Sequence, residues 1–174
     1  DPALVERVAG LLHAAGLEAQ KDPQRGLDHG VFVPLKVSFP EAQIPTVQLS
    51  LDRRLDPEQH LALGRALAPL RDEGVLILGS GMSYHNMQHF QRSLARDASA
   101  TFDAWLAESL GLPREAREDR LRAWADAPAA RIAHPREEHL LPLMVVAGAA
   151  GDDLAHAAYR GAVMSATVSA FRFG

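Results

Sequence analysis

The hydrophobic pattern between residues 45 and 81 constrains the fold of this chain more than any other feature. Residues 45–51 (PTVQLSL) alternate apolar and polar side chains, which predicts a strand. Asp56-Pro57-Glu58 is a typical helix start, and leucines then repeat at helical spacing. Residues 74–78 (GVLIL) predict a second, wholly apolar strand that ends at Gly79-Ser80-Gly81. A strand–helix–strand unit of this kind predicts a mainly parallel sheet that is covered on both faces.

Further helices and strands surround this unit. Residues 2–15 and 31–39 carry apolar side chains that predict helices, the second of only one or two turns. Two or three helices follow between Arg96 and Ala127, a buried helix covers about 137–150, and residues 155–172 predict one or two strands. We therefore predict an α/β fold in a single domain, with a central mostly parallel or mixed sheet flanked by helices.

Composition excludes several classes of protein. The 174 residues contain no cysteine, which excludes a disulfide scaffold, a cysteine-ligated metal site and a thiol nucleophile. A formal net charge of −4 argues against a nucleic-acid partner. No apolar run approaches the roughly 18 residues of a membrane span, and no signal peptide is evident, so we predict a cytoplasmic protein without a membrane partner.

Two histidines lie where backbone geometry favours a site. His29 lies in residues 26–30 (GLDHG), between glycines that let a backbone approach a ligand closely. His85 follows the predicted strand 74–78 at the carboxyl edge of the sheet, where open α/β sheets place their sites. The alternatives are a turn histidine that caps a helix and a histidine in a tight turn. His89 lies four residues after His85, and such a pair can share a metal.

A third candidate region directly precedes the last predicted helix. Residues 133–143 (AHPREEHLLPL) place His134, Glu137, Glu138 and His139 before a buried apolar segment. A metal or an anion at the helix N-terminus is one partner for these groups. Glu138 could be a carboxylate ligand that His139 supports. The alternative for His134, Glu137 and Glu138 is a solvated first turn.

Three of the eight histidines, His29, His85 and His139, could therefore converge on one cavity. Such sets are common in iron and zinc sites without thiolates, and they also occur in proteins that bind no metal. We predict that the other histidines in helical or edge segments are solvated or half-buried at the surface; they are His13, His60 and His156.

Several segments, in this order and at these separations, resemble the class III extradiol ring-cleavage dioxygenases, and within them the DOPA 4,5-dioxygenase-like branch. The segments are GLDHG, PTVQLSL, GSGMSYHNM, HPREEHLLPLMVVAGAAG and MSATVSAFRF. The resemblance covers essentially the whole chain. It implies an α/β fold and a mononuclear non-haem Fe(II) site, in which zinc is an alternative metal. It also implies that the substrates are O₂ and a small aromatic diol, a catechol, whose ring opens next to the diol.

The resemblance also implies roles for individual residues. His85 and His139 match metal-site positions, while His29 and His85 match acid/base or substrate-positioning histidines. The role of His85, as a ligand or as an acid/base, stays open. The carboxylate of the usual facial triad falls at Glu138 unless His139 replaces it, and we favour His139. Ser83 and Tyr84 are weaker candidates for substrate binding.

One departure from the family pattern qualifies the prediction. The family places two further metal histidines in an N-terminal section, in GHG and AHW motifs that this chain lacks. We therefore expect residues 1–174 to be the C-terminal two-thirds of a catalytic domain, inactive and poor in iron on its own. The alternative is a metal-poor relative that acts as a binding or scaffold protein. A zinc hydrolase ranks last, because no HExxH motif or nucleophile elbow is present. A homo-oligomer could form through the amphipathic helix near Trp105 and Trp124.

Overall fold

The structure is a computed structural model that describes residues 1–90 and 93–174. The chain divides into two compact units, Asp1–Ser50 and Leu51–Gly174. No helix in the described ranges combines the length and the apolar character needed to cross a bilayer.

The first unit contains two helices, α1 (Pro2–Ala14) and α2 (His29–Ser38). Asp1 caps α1, because its carboxylate accepts the backbone N–H groups of Ala3 and Leu4 at 3.0 and 3.2 Å. This confirms the helix predicted over residues 2–15. Before α2, Asp28 exchanges two hydrogen bonds with the side-chain amide of Gln48, which ties the GLDHG turn to the following extended segment.

The second unit contains six α-helices and one antiparallel pair of strands among its described residues. In chain order these are α3 (Pro57–Leu67), α4 (Pro69–Asp72), α5 (Ser93–Leu110), α6 (Arg114–Arg122), a 3₁₀ turn (Trp124–Asp126), α7 (Ala130–Ala133), α8 (Leu141–Ala149), β1 (Ala155–Val163) and β2 (Ala166–Phe173). The predicted start at Asp56 is confirmed, since its carboxylate accepts the N–H of Glu58 at 3.3 Å.

The described sheet is an antiparallel hairpin, and this corrects part of the topology that the sequence predicts. β1 and β2 pair from Ala155↔Phe173 to Val163↔Ala166. Segments 45–51 and 74–78 were expected to form parallel strands, but they pair with no strand in the part of the chain that the structure describes. The residues around 74–78 run beside α8 instead, and Leu76 and Leu78 are exposed. The α/β class itself is confirmed, because α5 packs against β2.

The core of the second unit lies around α5. Many of its buried members come from α5, α6, the 3₁₀ turn and α8, and include Phe102, Leu106, Leu121, Trp124, Leu141 and Met144. Trp124 is buried and Trp105 is half-buried, stacked on Phe102 at 5.4 Å. The two tryptophans near the predicted subunit contact therefore pack in or against this core. The homo-oligomer stays a prediction.

Helix α6 carries two charged side chains that the fold encloses. Arg117 and Glu118 are buried. Arg117 donates to the backbone carbonyls of Asp153 and Gly151 at 2.8 and 2.6 Å, and its guanidinium lies over the ring of Phe173. This buried cation therefore satisfies carbonyl groups that follow α8, where the negative end of the helix dipole lies.

Candidate metal centre

Two segments of the second unit face each other across the candidate site. One is the irregular segment 79–86, which contains His85, and the other runs from α7 to the start of α8 and contains His139. The N–H of Met82 donates to the carbonyl of His139 at 2.9 Å, and the N–H of His85 donates to the carbonyl of Ala133 at 3.0 Å. These backbone bonds hold the two segments in one register.

The absence of a side chain at Gly81 permits this close approach. A Cβ atom built at Gly81 would lie 2.2 Å from the carbonyl oxygen of His139, which is far inside van der Waals contact. A Cβ atom built at Gly79 would likewise lie 2.6 Å from the carbonyl oxygen of Pro142. Glycine is therefore required at both positions by packing, since any side chain would displace the segment that carries His139.

Three side chains with metal-ligating atoms converge here: His85, Glu138 and His139. One ligand atom from each lies within 4.8 Å of the other two. The side chains of Glu138 and His139 are each 33% exposed, so a small ion or substrate can reach them. The structure thus brings together the predicted ligands His85 and His139 and the alternative ligand Glu138.

The two imidazoles of this group are stacked. The ring centroids of His85 and His139 lie 3.4 Å apart with an interplanar angle of 12°. Glu138 lies 3.8 Å from the Nδ1 atom of His139 and 3.4 Å from the Nε atom of the exposed Arg136.

The donor set fits a divalent metal ion. Zinc binds imidazole nitrogen and carboxylate oxygen at about 2.0–2.2 Å, and the ligand atoms of His85, Glu138 and His139 lie close enough together to hold one ion. Two histidines and one carboxylate are also the ligands of many non-haem Fe(II) oxygenases. The chemistry of the group therefore suits either metal.

His134 is the residue near this site whose burial the sequence did not reveal. One of the two interpretations of the sequence places His134 in a solvated turn. Its side chain is buried instead, and its Nε2 atom lies 3.0 Å from the carbonyl of Ser83. Burial lowers the pKa of His134 from 6.5 to about 4, so the ring is neutral at physiological pH. The signal in the sequence was its position directly after the apolar pair Ile132-Ala133, at the end of a helix.

Ser83 and Tyr84 are both buried, in different surroundings. The Ser83 hydroxyl accepts the N–H of Ser169 on β2 at 2.9 Å. The Tyr84 ring packs edge-on against Phe90, with centroids 5.5 Å apart, and burial raises the pKa of its phenol. Substrate contact by either side chain stays a prediction.

The other histidines that the sequence analysis considers are not members of this group of ligand atoms. His29 is exposed at the first residue of α2, in the first unit, and its predicted catalytic role stays a prediction. His89 accompanies Asn86, with their side-chain nitrogens 3.2 Å apart, and is not part of the group formed by His85, Glu138 and His139. His60 is buried, whereas the sequence predicts a solvated or half-buried residue at the surface. One of its ring nitrogens accepts the N–H of Asp52, and the other faces the carbonyl of Asp56.

A groove opens beside the candidate metal centre. It has a volume of about 620 Å³ and runs between segment 75–79, α8 and β2, with His139 and Ser83 in its wall. Its apolar lining includes Leu76, Leu78 and Phe171. A volume of this size is within the range of small-molecule sites.

The amino-acid sequence has clear relatives. The family model described as the catalytic LigB subunit of aromatic ring-opening dioxygenase matches residues 1–172. A Beta vulgaris protein named 4,5-DOPA dioxygenase extradiol is 42% identical over 171 residues, which cover 94% of this chain and 63% of that protein. A Portulaca grandiflora protein of the same name is 45% identical over 156 residues, covering 87% and 56%. The chain therefore spans less than two-thirds of the length of these relatives.

A solved structure has a similar fold. The crystal structure of the Escherichia coli K12 protein JW3007, titled as uncharacterized, matches this chain with a TM-score of 0.86 at 29% sequence identity. The match covers 100% of this chain and 73% of that one. This comparison supports the predicted α/β class.

Proposed function

Because the chain belongs to the family of the catalytic LigB subunit of aromatic ring-opening dioxygenase, a class III extradiol family, we propose that it carries the ring-opening site of an Fe(II)-dependent extradiol dioxygenase. In this reaction a catechol reacts with O₂, the carbon–carbon bond next to the diol breaks, and both oxygen atoms enter the ring-opened product. The convergence of His85, Glu138 and His139 is the observation that carries the proposal.

Membership of this family implies a metal cofactor, and the proposal assigns its ligands within this chain. His139 would hold the ion together with Glu138, or together with His85 if that imidazole is a ligand and His29 is the acid/base, and His85, Glu138 and His139 each have a ligand atom within the same 4.8 Å group. When bound, the metal supplies Lewis acidity toward the diol and redox chemistry toward O₂. Iron is proposed over zinc because the reaction consumes O₂ and zinc has no redox chemistry.

His85 is the proposed acid/base. An unprotonated ring nitrogen of His85 would accept the proton that a catechol hydroxyl loses, a task for which imidazole is suited near neutral pH. Its stack on the His139 ring fixes the plane in which that nitrogen lies. His29 is the second predicted candidate for this role.

The substrate is proposed as a catechol of the DOPA type. The relatives in Beta vulgaris and Portulaca grandiflora carry the name 4,5-DOPA dioxygenase extradiol, which supports this class of substrate. The groove of about 620 Å³ beside His139, with apolar walls, has room for a single aromatic ring. Ser83, which also lines it, is the proposed polar contact.

Ring opening can be tested directly with the protein as its gene encodes it. Purified protein loaded with Fe(II) is given DOPA in air, and O₂ uptake is measured together with the absorbance of the product. We expect one O₂ consumed per DOPA. His85→Ala and His139→Ala should lower the rate by at least ~10²-fold, as loss of an acid/base group does, and His139→Ala should also lower the iron content.

The exposed His156 on β1 provides the matched control. His156→Ala removes a surface imidazole outside the site and should retain full activity and iron content. Turnover at the parent rate by either site variant would contradict the residue assignment. A protein that folds but neither binds iron nor consumes O₂ would instead favour the alternative of a metal-poor binding or scaffold protein.

The cytoplasmic location remains a prediction.

A further inference from the structure

We propose that His134 is a positioning residue that sets the relative placement of His85 and His139, by hydrogen bonding from Nε2 to the backbone carbonyl of Ser83. The functional importance of this placement rests on the proposed function, whereas the placement itself does not. The side chain of His134 does not belong to the group of ligand atoms formed by His85, Glu138 and His139.

The His134 ring is buried against aromatic side chains, and its Nε2 atom has a hydrogen-bond partner in a defined direction. The rings of Phe102 and Trp124 meet it edge-on, with centroids 5.2 and 6.0 Å away. The Ser83 carbonyl lies 3.0 Å from Nε2. Because a carbonyl oxygen only accepts hydrogen bonds, Nε2 must carry the proton, and a neutral ring then has an unprotonated Nδ1.

This hydrogen bond joins the two segments that carry the site. Ser83 precedes His85 by two residues, and His134 precedes His139 by five. The backbone bonds from Met82 to His139 and from His85 to Ala133 lie on either side of it. Loss of the side-chain bond would leave a buried carbonyl without a donor at the centre of this contact, so segment 82–85 would shift to satisfy it.

The alternative is that His134 only fills space in the core. A space-filling role predicts that any side chain of similar volume preserves the stacked rings of His85 and His139. A positioning role predicts that the donor matters, so an amide donor restores what an apolar ring of similar size loses. The low pKa of His134 supports the second view, because the donor stays in one protonation state across the working pH range.

The first test needs no substitution. Long-range ¹H–¹⁵N NMR correlation of the metal-free full chain reports the tautomer of each imidazole. We expect His134 to be neutral, protonated at Nε2, with slow exchange of that proton. A ring protonated at Nδ1, or one in fast tautomeric exchange, would overturn the proposal.

The second test compares two substitutions of His134 with a control. His134→Phe keeps the ring volume without a donor, and His134→Gln keeps an amide N–H that can face Ser83. His60→Phe removes a different buried, hydrogen-bonded histidine at the start of α3. The readout is the nuclear Overhauser effect between the ring protons of His85 and His139, whose centroids lie 3.4 Å apart in the native chain.

We expect the ring contact to be lost in His134→Phe and retained in His134→Gln and His60→Phe. Retention in a folded His134→Phe variant, or equal loss in His60→Phe, would overturn the proposal. If His134→Phe does not fold, the native tautomer and the His134→Gln spectrum still decide it. In the iron-loaded enzyme, His134→Phe should weaken metal affinity roughly 10–100-fold, the usual effect of losing support for a ligand. Failure of the parent protein to bind metal would count against the proposed function but would leave the ring-contact result standing.

Discussion

At the scale of a single residue, burial determines the protonation state of His134 in the native protein. His134 is fully enclosed and has one carbonyl partner, so the native state strongly favours its neutral form. The unfolded chain has no such preference, and its histidines titrate near the ordinary value of 6.5. In mild acid, His134 is therefore protonated in the unfolded state but stays neutral in the native state.

This difference predicts acid sensitivity with a defined sign. Between pH 6.5 and about 4 the unfolded state binds more protons at His134, so the free energy of unfolding falls as the pH falls. The effect is on the order of 3 kcal/mol. Urea unfolding at pH 7 and pH 4 should show that His134→Gln, which cannot titrate, loses less stability than the parent protein. Identical pH dependence in the two proteins would refute the depressed pKa.

At the scale of secondary-structure elements, two glycines decide how closely α3 and α8 pack. A Cβ atom at Gly64 would lie 2.0 Å from the carbonyl of Val145, and one at Gly148 would lie 2.2 Å from the carbonyl of Leu61. The backbones of the two helices are therefore in direct contact. This contact positions the start of α8, and with it the segment that carries His139.

Alanine at Gly148 should destabilise the protein despite its better helix propensity. Overpacking costs about 1–3 kcal/mol, whereas Ala gains only about 0.5–1 kcal/mol over Gly inside a helix. Gly10 in α1 is the matched control, because no atom lies within 4 Å of its added Cβ. Gly10→Ala should therefore stabilise α1. Denaturation curves of the two variants should shift in opposite directions, and an unchanged Gly148→Ala variant would show that the two helices can separate freely.

At the scale of the whole second unit, a buried guanidinium connects distant parts of the chain. Arg117 lies on α6, donates to the carbonyls of Gly151 and Asp153 after α8, and covers the ring of Phe173 at the end of β2. Burial lowers its pKa, but a guanidinium stays charged at any physiological pH. Its hydrogen bonds therefore persist wherever the unit is folded.

Arg117→Met should destabilise the second unit by roughly 2–4 kcal/mol, because buried carbonyl groups lose charged donors. The exposed Arg172, which donates a hydrogen bond to the Gly174 carbonyl at 3.2 Å, is the control. Arg172→Met should change the stability by less than about 0.5 kcal/mol. The free energy of unfolding from urea titration measures both. Equal stability of Arg117→Met and the parent would mean that water replaces the guanidinium at these carbonyls.

Helices with clear start signals were predicted correctly because those signals are local. Asp1-Pro2 and Asp56-Pro57 each place a capping carboxylate beside the first turn, and both caps form. Strands at 45–51 and 74–78 were predicted from equally clear patterns, but a strand requires a partner that its own residues do not specify. The burial of His60 and His134 was missed for a similar reason, since the partners of a side chain cannot be read from its neighbours in the sequence.

The amino-acid sequence by itself determined the helix starts at Asp1 and Asp56, the presence of strand structure within residues 155–172, the absence of thiol chemistry, and the motifs that contain His85, Glu138 and His139. These properties depend on residue types and on contacts within a few positions. Only the tertiary structure decided that the three side chains share one site, that Gly81 must lack a side chain, and that His134 lies beneath the loop of Ser83. Those properties depend on contacts between residues about 50 positions apart, which exist only once the chain has folded.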